Sequence, residues 1–193
     1  MTGIVLNLKP FIEFSNDQFY ELCQNHQDLR FERTARGELI IMPPVGGESG
    51  NKEASLIGNL YIWNTRSRLG KVFSSSTGFI LPNGANRSPD AAWVALERWE
   101  TLTREQRQKL IPLCPDFLIE LRSESDSLPP VQRKMEEYIE NGLCLGWLID
   151  PRNRQVEIYR ANREKEVLEN CDRLEGEEIL PGFVLDLSVI WEE

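Results

Sequence analysis

Apolar residues follow two rhythms along this chain. Leu56, Ile57, Leu60, Tyr61 and Trp63 recur at helical spacing, which predicts a wide helix face packed on a core. Val131, Met135, Tyr138 and Ile139 repeat the pattern and predict a helix from about Val131 to Asn141, ended by Gly142. Elsewhere the apolar residues crowd into short runs bounded by turn residues. Ser88–Leu96 and Pro115–Ser123 read this way, as buried strands. Phe31–Thr34 and Glu38–Met42 flank Ala35-Arg36-Gly37 as a hairpin with the glycine at the left-handed turn position. Leu145–Asp150 and Gln155–Arg160 form a second hairpin across Pro151–Arg154.

The remaining elements are shorter. Met1–Phe14 reads as a loose extension with one strand, and Ser15-Asn16-Asp17 as the cap of a helix reaching about Asn25. Pro43–Gly50 reads as a loop, too glycine-rich to join the helix that follows and runs to about Ser67. Val72-Phe73, Phe79–Leu81 and segments near Glu166–Leu168 and Phe183–Leu185 read as short strands, and Thr103–Lys109 as a helical piece. Helices interleaved with hairpins and buried strands predict an α/β fold with a mixed sheet. No repeat or linker divides the 193 residues, so one domain spanning residues 1–193 is expected.

Charge and composition narrow the function. A net charge of −9 argues against a broad nucleic-acid-binding face driven by phosphate attraction. It leaves room for a local basic cleft. Cys23, Cys114, Cys144 and Cys171 are far apart and form no C-x-x-C pair, so they read as free thiols in a reducing cytoplasm. A single histidine, His26, argues against a zinc site or a histidine-based triad and reads as a helix-end or surface residue. The N-terminus lacks a basic stretch followed by an apolar one, so no signal peptide is expected. No apolar run is long enough to cross a membrane.

The candidate chemistry lies in the two strand runs. Each carries a carboxylate that a core strand should avoid: Asp90 begins the first, and Glu120 closes the second. A buried carboxylate costs several kcal/mol unless a cation or donors compensate it. Neighbouring strands would bring the pair together at one sheet end, where a hard divalent cation is the simplest partner. Each also has an ordinary reading, Asp90 as a turn residue after proline and Glu120 as the partner of Arg122 or another arginine. Glu120 and Arg122 share a strand face, and a permanently charged guanidinium suits clamping a phosphate or neutralising Glu120 better than taking a proton. Lys134, at the margin of the Val131–Ile139 stripe, is the better water-orienting group, or else a surface lysine resting its stem on the core. Glu48, in the glycine-rich loop, and Glu53, in the first turn of the next helix, are alternative further acids.

These residues resemble the PD-(D/E)XK nuclease superfamily. Pro89-Asp90 looks like its PD, and Glu120-Leu121-Arg122 like its (D/E)-X-K with arginine in the last place. More narrowly, the chain is similar over nearly its full length to the Uma-type family of restriction-endonuclease-like proteins. The similarity rests on Gly37–Ile40, Pro43-Pro44 through Asn51, Ser76–Phe79, Leu81–Gly84 and Ser88–Val94. It continues through Pro115–Ser123, Lys134-Met135 with Tyr138, Asn141-Gly142 and Gly146–Pro151. The resemblance implies a restriction-endonuclease-like core, a mixed sheet flanked by helices with added hairpins. It also implies Mg²⁺ or Mn²⁺ held by Asp90, Glu120 and the backbone carbonyl of Leu121. Arginine replaces the usual lysine at position 122, and the superfamily's tolerance of a relocated lysine would make Lys134 its equivalent.

The expectation is therefore a metal-dependent DNA endonuclease in which Asp90, Glu120, Lys134 and Glu48 are catalytic and Arg122 and Arg87 bind substrate. Arg66, Arg68 and Lys71 are further candidates for approaching the DNA backbone. The alternative is an inactive protein that keeps the nuclease fold as an interaction or nucleic-acid-binding module. The acidic charge and the missing E-X-K lysine favour that alternative. A twofold homodimer is a further expectation, joined through the edge of the Leu145–Arg160 hairpin or the apolar Phe183–Trp191 tail.

Overall fold

The computed structural model describes residues 3–9 and 11–191. Strand β1 (Ile4–Leu6) precedes helix α1 (Asn16–Asn25). The Ser15 hydroxyl accepts the Gln18 N–H while the Gln18 side chain accepts the Ser15 N–H, so two donors that a helix start leaves unpaired are satisfied together. Strands β2 (Arg30–Arg33) and β3 (Leu39–Met42) form the expected hairpin, with Gly37 at φ +86° in its turn. Helix α2 (Gly47–Ser67) is followed by β4 (Gly70–Ser74), β5 (Phe79–Ile80), β6 (Asn86–Arg87) and β7 (Ala91–Ala95). Helices α3 (Leu96–Glu100) and α4 (Arg104–Gln108) lead to β8 (Phe117–Leu121). Helix α5 (Leu128–Glu140) joins β8 to β9 (Leu145–Asp150), and a 3-10 turn (Pro151–Asn153) joins β9 to β10 (Gln155–Arg160). Strands β11 (Glu166–Glu169), β12 (Arg173–Glu175) and β13 (Val184–Asp186) precede helix α6 (Ser188–Trp191).

The larger sheet has the order β11-β10-β9-β8-β7-β4 and is mixed: β8 and β9 run parallel and the other pairs antiparallel. Strand alternation gives it two buried faces. Ala91, Trp93, Phe117 and Ile119 pack on Leu56 and Leu60 of α2. Ala92, Val94, Leu118 and Leu148 pack on Met135 and Tyr138 of α5. A Cβ at Gly146 would stand 2.6 Å from Met135 Cε, so the missing side chain there lets α5 lie close against β9. The smaller sheet, ordered β1-β3-β2-β6-β5, is antiparallel, and β12 and β13 form a separate pair.

Several boundaries differ from the sequence reading. The glycine-rich segment is not all loop: α2 starts at Gly47, with Gly46 in extended conformation before it and Gly50 N–H bonded to the Gly46 carbonyl. Interior glycines cost about 1 kcal/mol each relative to alanine, and the long helix that buries Leu56 and Leu60 outweighs this. Helix α5 starts three residues early, because Pro129 and Pro130 occupy its first turn, where a missing N–H costs nothing. Leu96 leaves its strand run to begin α3. Both surfaces expected to join a dimer are occupied within the chain. Strand β10 is covered by β11, and Phe183, Leu185, Leu187 and Ile190 are buried in the core.

Candidate active site

Register places the first two carboxylates. Ala91 pairs with Ile119 and Ala92 with Leu118, so one step further Asp90 lies across from Glu120 at the end of β7 and β8. Both point to the face that α5 covers. The Leu121 N–H reaches Asp90 Oδ2 at 2.7 Å, tying the turn before β7 to the end of β8. Helix α5 supplies Lys134 and, one turn on, Tyr138, whose hydroxyl donates to Glu120 Oε1 at 3.1 Å. Lys134 Nζ lies 2.8 Å from Glu120 Oε1.

The smaller sheet supplies a third carboxylate. Glu32, on β2, is 3% exposed, and its Oε1 stands 2.8 Å from Lys134 Nζ. The same oxygen accepts the Ser88 N–H at 3.0 Å, and Oε2 pairs with Arg87 at 2.9 Å. Arg87 reaches on to Glu137 at 2.6 Å, and Glu137 accepts from Asn83. The site is thus a chain of ion pairs across the junction of the two sheets, closed by Lys134, Glu137 and Tyr138 at successive positions of one face of α5.

The environment splits the carboxylates. Burial alone would raise Glu32, but Lys134, Arg87 and the Ser88 N–H outweigh it and hold the carboxyl down at about 2. Burial, the charge of Glu120 and, more weakly, that of Glu53 push Asp90 up to about 7 against Lys134 and the Leu121 N–H. Burial also raises Glu120 despite its Lys134 partner. Burial opposes the charge on Lys134, but Glu120 and Glu32 override it, so its ammonium is held firmly protonated.

These groups line a cleft of 970 Å³. Asp90, Glu120, Lys134 and Arg87 come together there as the sequence suggested, and so does the backbone of Leu121, through its N–H to Asp90. Glu48 and Glu53 both line it from the first turns of α2, Glu48 exposed at the rim and Glu53 half-buried and within electrostatic reach of Asp90. Arg122 does not join them. It pairs with Asp150 at 2.5 Å and gives its Nε–H to the Asp126 carbonyl, because the strand ends at Leu121 and alternation no longer aims the side chain beside Glu120. Nor is Arg87 presented to solvent as a phosphate clamp; it is 8% exposed between two carboxylates. Arg66 lies in the last turn of α2, about 27 Å along its axis from Glu48 at 1.5 Å per residue, Arg68 caps that end, and Lys71 follows on β4 opposite Val94. Glu32 and Glu137 are the residues that sequence reasoning missed. Glu32 sits in an ordinary hairpin strand, where a glutamate usually faces solvent, and nothing local marks it out.

The donor set suits a hard divalent cation. Glu32, Glu120, Asp90 and Glu137 face Lys134 and Arg87, which leaves two uncompensated negative charges when Asp90 is ionised. No cluster of three or more metal-ligating side chains occurs among the described residues. Two carboxylates are nonetheless enough for an ion such as Mg²⁺, which keeps water and substrate oxygens in its remaining positions.

The fold is shared with a crystal structure from Anabaena variabilis ATCC 29413, described as "a putative nuclease belonging to DUF820". The two align with a TM-score of 0.71 at 20% identity, over 83% of this chain and 89% of that one. Residues 16–188 match the Uma2 family model, described as "Putative restriction endonuclease", and the chain belongs to that family. A search of curated proteins found no match. Among the described residues, no helix is long and apolar enough to cross a membrane.

Proposed function

We propose that residues 1–193 act as one restriction-endonuclease-like domain that hydrolyses phosphodiester bonds in DNA with Mg²⁺ or Mn²⁺. The observation that carries this reading is the register-opposed pair Asp90 and Glu120, the first half-buried and the second buried, at a cleft with Lys134 beside them. Asp90 and Glu120 would hold the ion, with the Leu121 carbonyl as a backbone ligand. Bound there, it supplies Lewis acidity toward the scissile phosphate and offsets charge that develops on its oxygens. The Leu121 N–H fixes the Asp90 carboxylate, and the Tyr138 hydroxyl fixes Glu120. Lys134 acts as a cation: Glu32 and Glu120 hold two of its three N–H donors and keep it from acting as a base, and the third orients the attacking water beside the phosphate. Glu53, whose charge reaches Asp90, is the better further acid, and Glu48 at the rim meets the substrate's approach.

A second reading has its own support. The Glu32–Lys134–Glu120 bridge already neutralises Glu120 in part, as a fold retained for binding alone would require. Incubating plasmid DNA with pure protein and Mg²⁺ or Mn²⁺ separates the two readings. Nicking or linearisation that stops with EDTA and is lost in Asp90→Asn supports the nuclease. DNA left intact, with retained metal-independent binding, supports the second reading.

A further inference from the structure

The walls of the cleft are chemically unlike each other. Nine carboxylates and four cations line it. Of the cations, Arg87 and Lys134 are each held between two carboxylates, and Arg30 donates to the Ser75 carbonyl. Arg133, on α5, is exposed. The opposite wall is apolar. Val5 and Ile40 face each other across β1 and β3, Met42 continues that face, and Pro43, Pro44 and Val45 extend it.

Duplex DNA carries about one charge per 1.7 Å of axis on two backbones, and its affinity rests on several lysine and arginine contacts. This cleft offers few cations for that purpose, and its volume is that of a ligand pocket. A single strand has other means of binding. Its unstacked bases can pack their faces against apolar side chains, and its flexible backbone can present one phosphate to the carboxylates while holding the rest away from the acidic floor.

We propose that the cleft takes an unpaired DNA strand, its bases against the wall formed by Val5, Ile40, Met42 and Pro43–Val45 and one phosphate turned toward Asp90 and Glu120. This rests on the nuclease reading and narrows its substrate. An unpaired strand also requires no twofold partner, in keeping with a chain that uses both expected dimer surfaces internally.

The test compares a short fluorescent single strand with its blunt duplex. Binding is read by anisotropy in Ca²⁺, and cleavage in Mg²⁺ and Mn²⁺. The single strand should bind about tenfold tighter, a difference of about 1.4 kcal/mol, and should be cut faster. Pro44→Ser/Val45→Ser, at two exposed positions away from the acidic groups, should weaken single-strand binding several-fold and leave duplex binding unchanged. A duplex cut as fast as the single strand overturns this inference while the nuclease reading survives. Preferential single-strand binding without cleavage in either metal upholds the strand preference and overturns the chemistry. Equal binding of the two DNAs, or a double variant that binds like the parent, removes the apolar wall from the account.

Discussion

Lys134 Nζ stands 2.8 Å from Glu32 Oε1, and this contact joins the smaller sheet to the helix that covers the larger one. Glu32 also anchors Arg87 and the Ser88 N–H, so one carboxylate holds both the helix and the turn that delivers Asp90. Its loss should be felt as stability first. Glu32→Gln removes the anion from two cations buried with it, and breaking such a pair costs about 3–5 kcal/mol. The acid limb should change as well. The folded carboxyl is held at about 2, below its usual 4.5, so its contribution is fully present above about pH 4.5 and is lost as the pH falls toward 2. Urea titrations between pH 7 and 2.5 should show the parent losing stability over that window more steeply than Glu32→Gln. Parallel curves would show that the contact carries little of the stability.

Asp90 has the opposite sign. Its folded value of about 7 lies above the usual 3.8, so the folded state is penalised increasingly as the pH rises from about 4 to 7, and fully above that. Asp90→Asn keeps an acceptor for the Leu121 N–H and removes the charge. At pH 8 in EDTA the variant should melt several degrees higher, consistent with about 1–3 kcal/mol in a chain of this size. Near pH 4 the gain should vanish, because the parent is then already neutral. Calorimetry should also show weaker binding of Mg²⁺ or Mn²⁺. A variant that melts lower at pH 8 in EDTA would mean Asp90 is compensated by something other than a metal.

The sequence revealed the strand that carries Glu120 and the one that Asp90 immediately precedes, because a carboxylate in a short apolar run conflicts with its surroundings, and such conflict is visible locally. It also placed Lys134, since the stripe of α5 fixes which side meets the sheet. Glu32 was hidden because its burial comes from packing one sheet against another, which no window of the chain contains. Arg122 misled for a related reason: alternation put it beside Glu120, but the strand ends one residue earlier and Asp150, on β9, supplies the partner. The start of α2 was masked by glycines whose local preference was overridden by the burial of the helix beyond them.

Arg122 therefore tests the division between stability and chemistry. Its side chain is 12% exposed and its partner Asp150 is 3% exposed, so Arg122→Ala leaves a buried carboxylate with a lost cation. The variant should lose about 3–5 kcal/mol, measured by denaturant unfolding. At a temperature where it stays folded, it should cut DNA at close to the parental rate. A folded variant with parental stability but weak DNA binding would return Arg122 to the substrate.

Lys134 calls for a paired design, because its removal has two effects. Lys134→Ala strips the cation from Glu32 and Glu120 together, so the variant should be destabilised and inactive, and inactivity alone would prove nothing. Adding Glu32→Gln relieves one of the stranded charges. The double variant should recover a good part of the lost stability, giving a coupling of about 0.5–3 kcal/mol in a double-mutant cycle. Its cleavage should stay absent if the ammonium orients water at the phosphate. Lys134→Arg keeps the charge but replaces a compact ammonium with a planar fork, so it should hold the fold and cut slowly. The measurement is unfolding and single-turnover cleavage on the parent, the three single variants and the double. Cleavage that returns in the double variant alongside stability would reduce Lys134 to a counterion for Glu32.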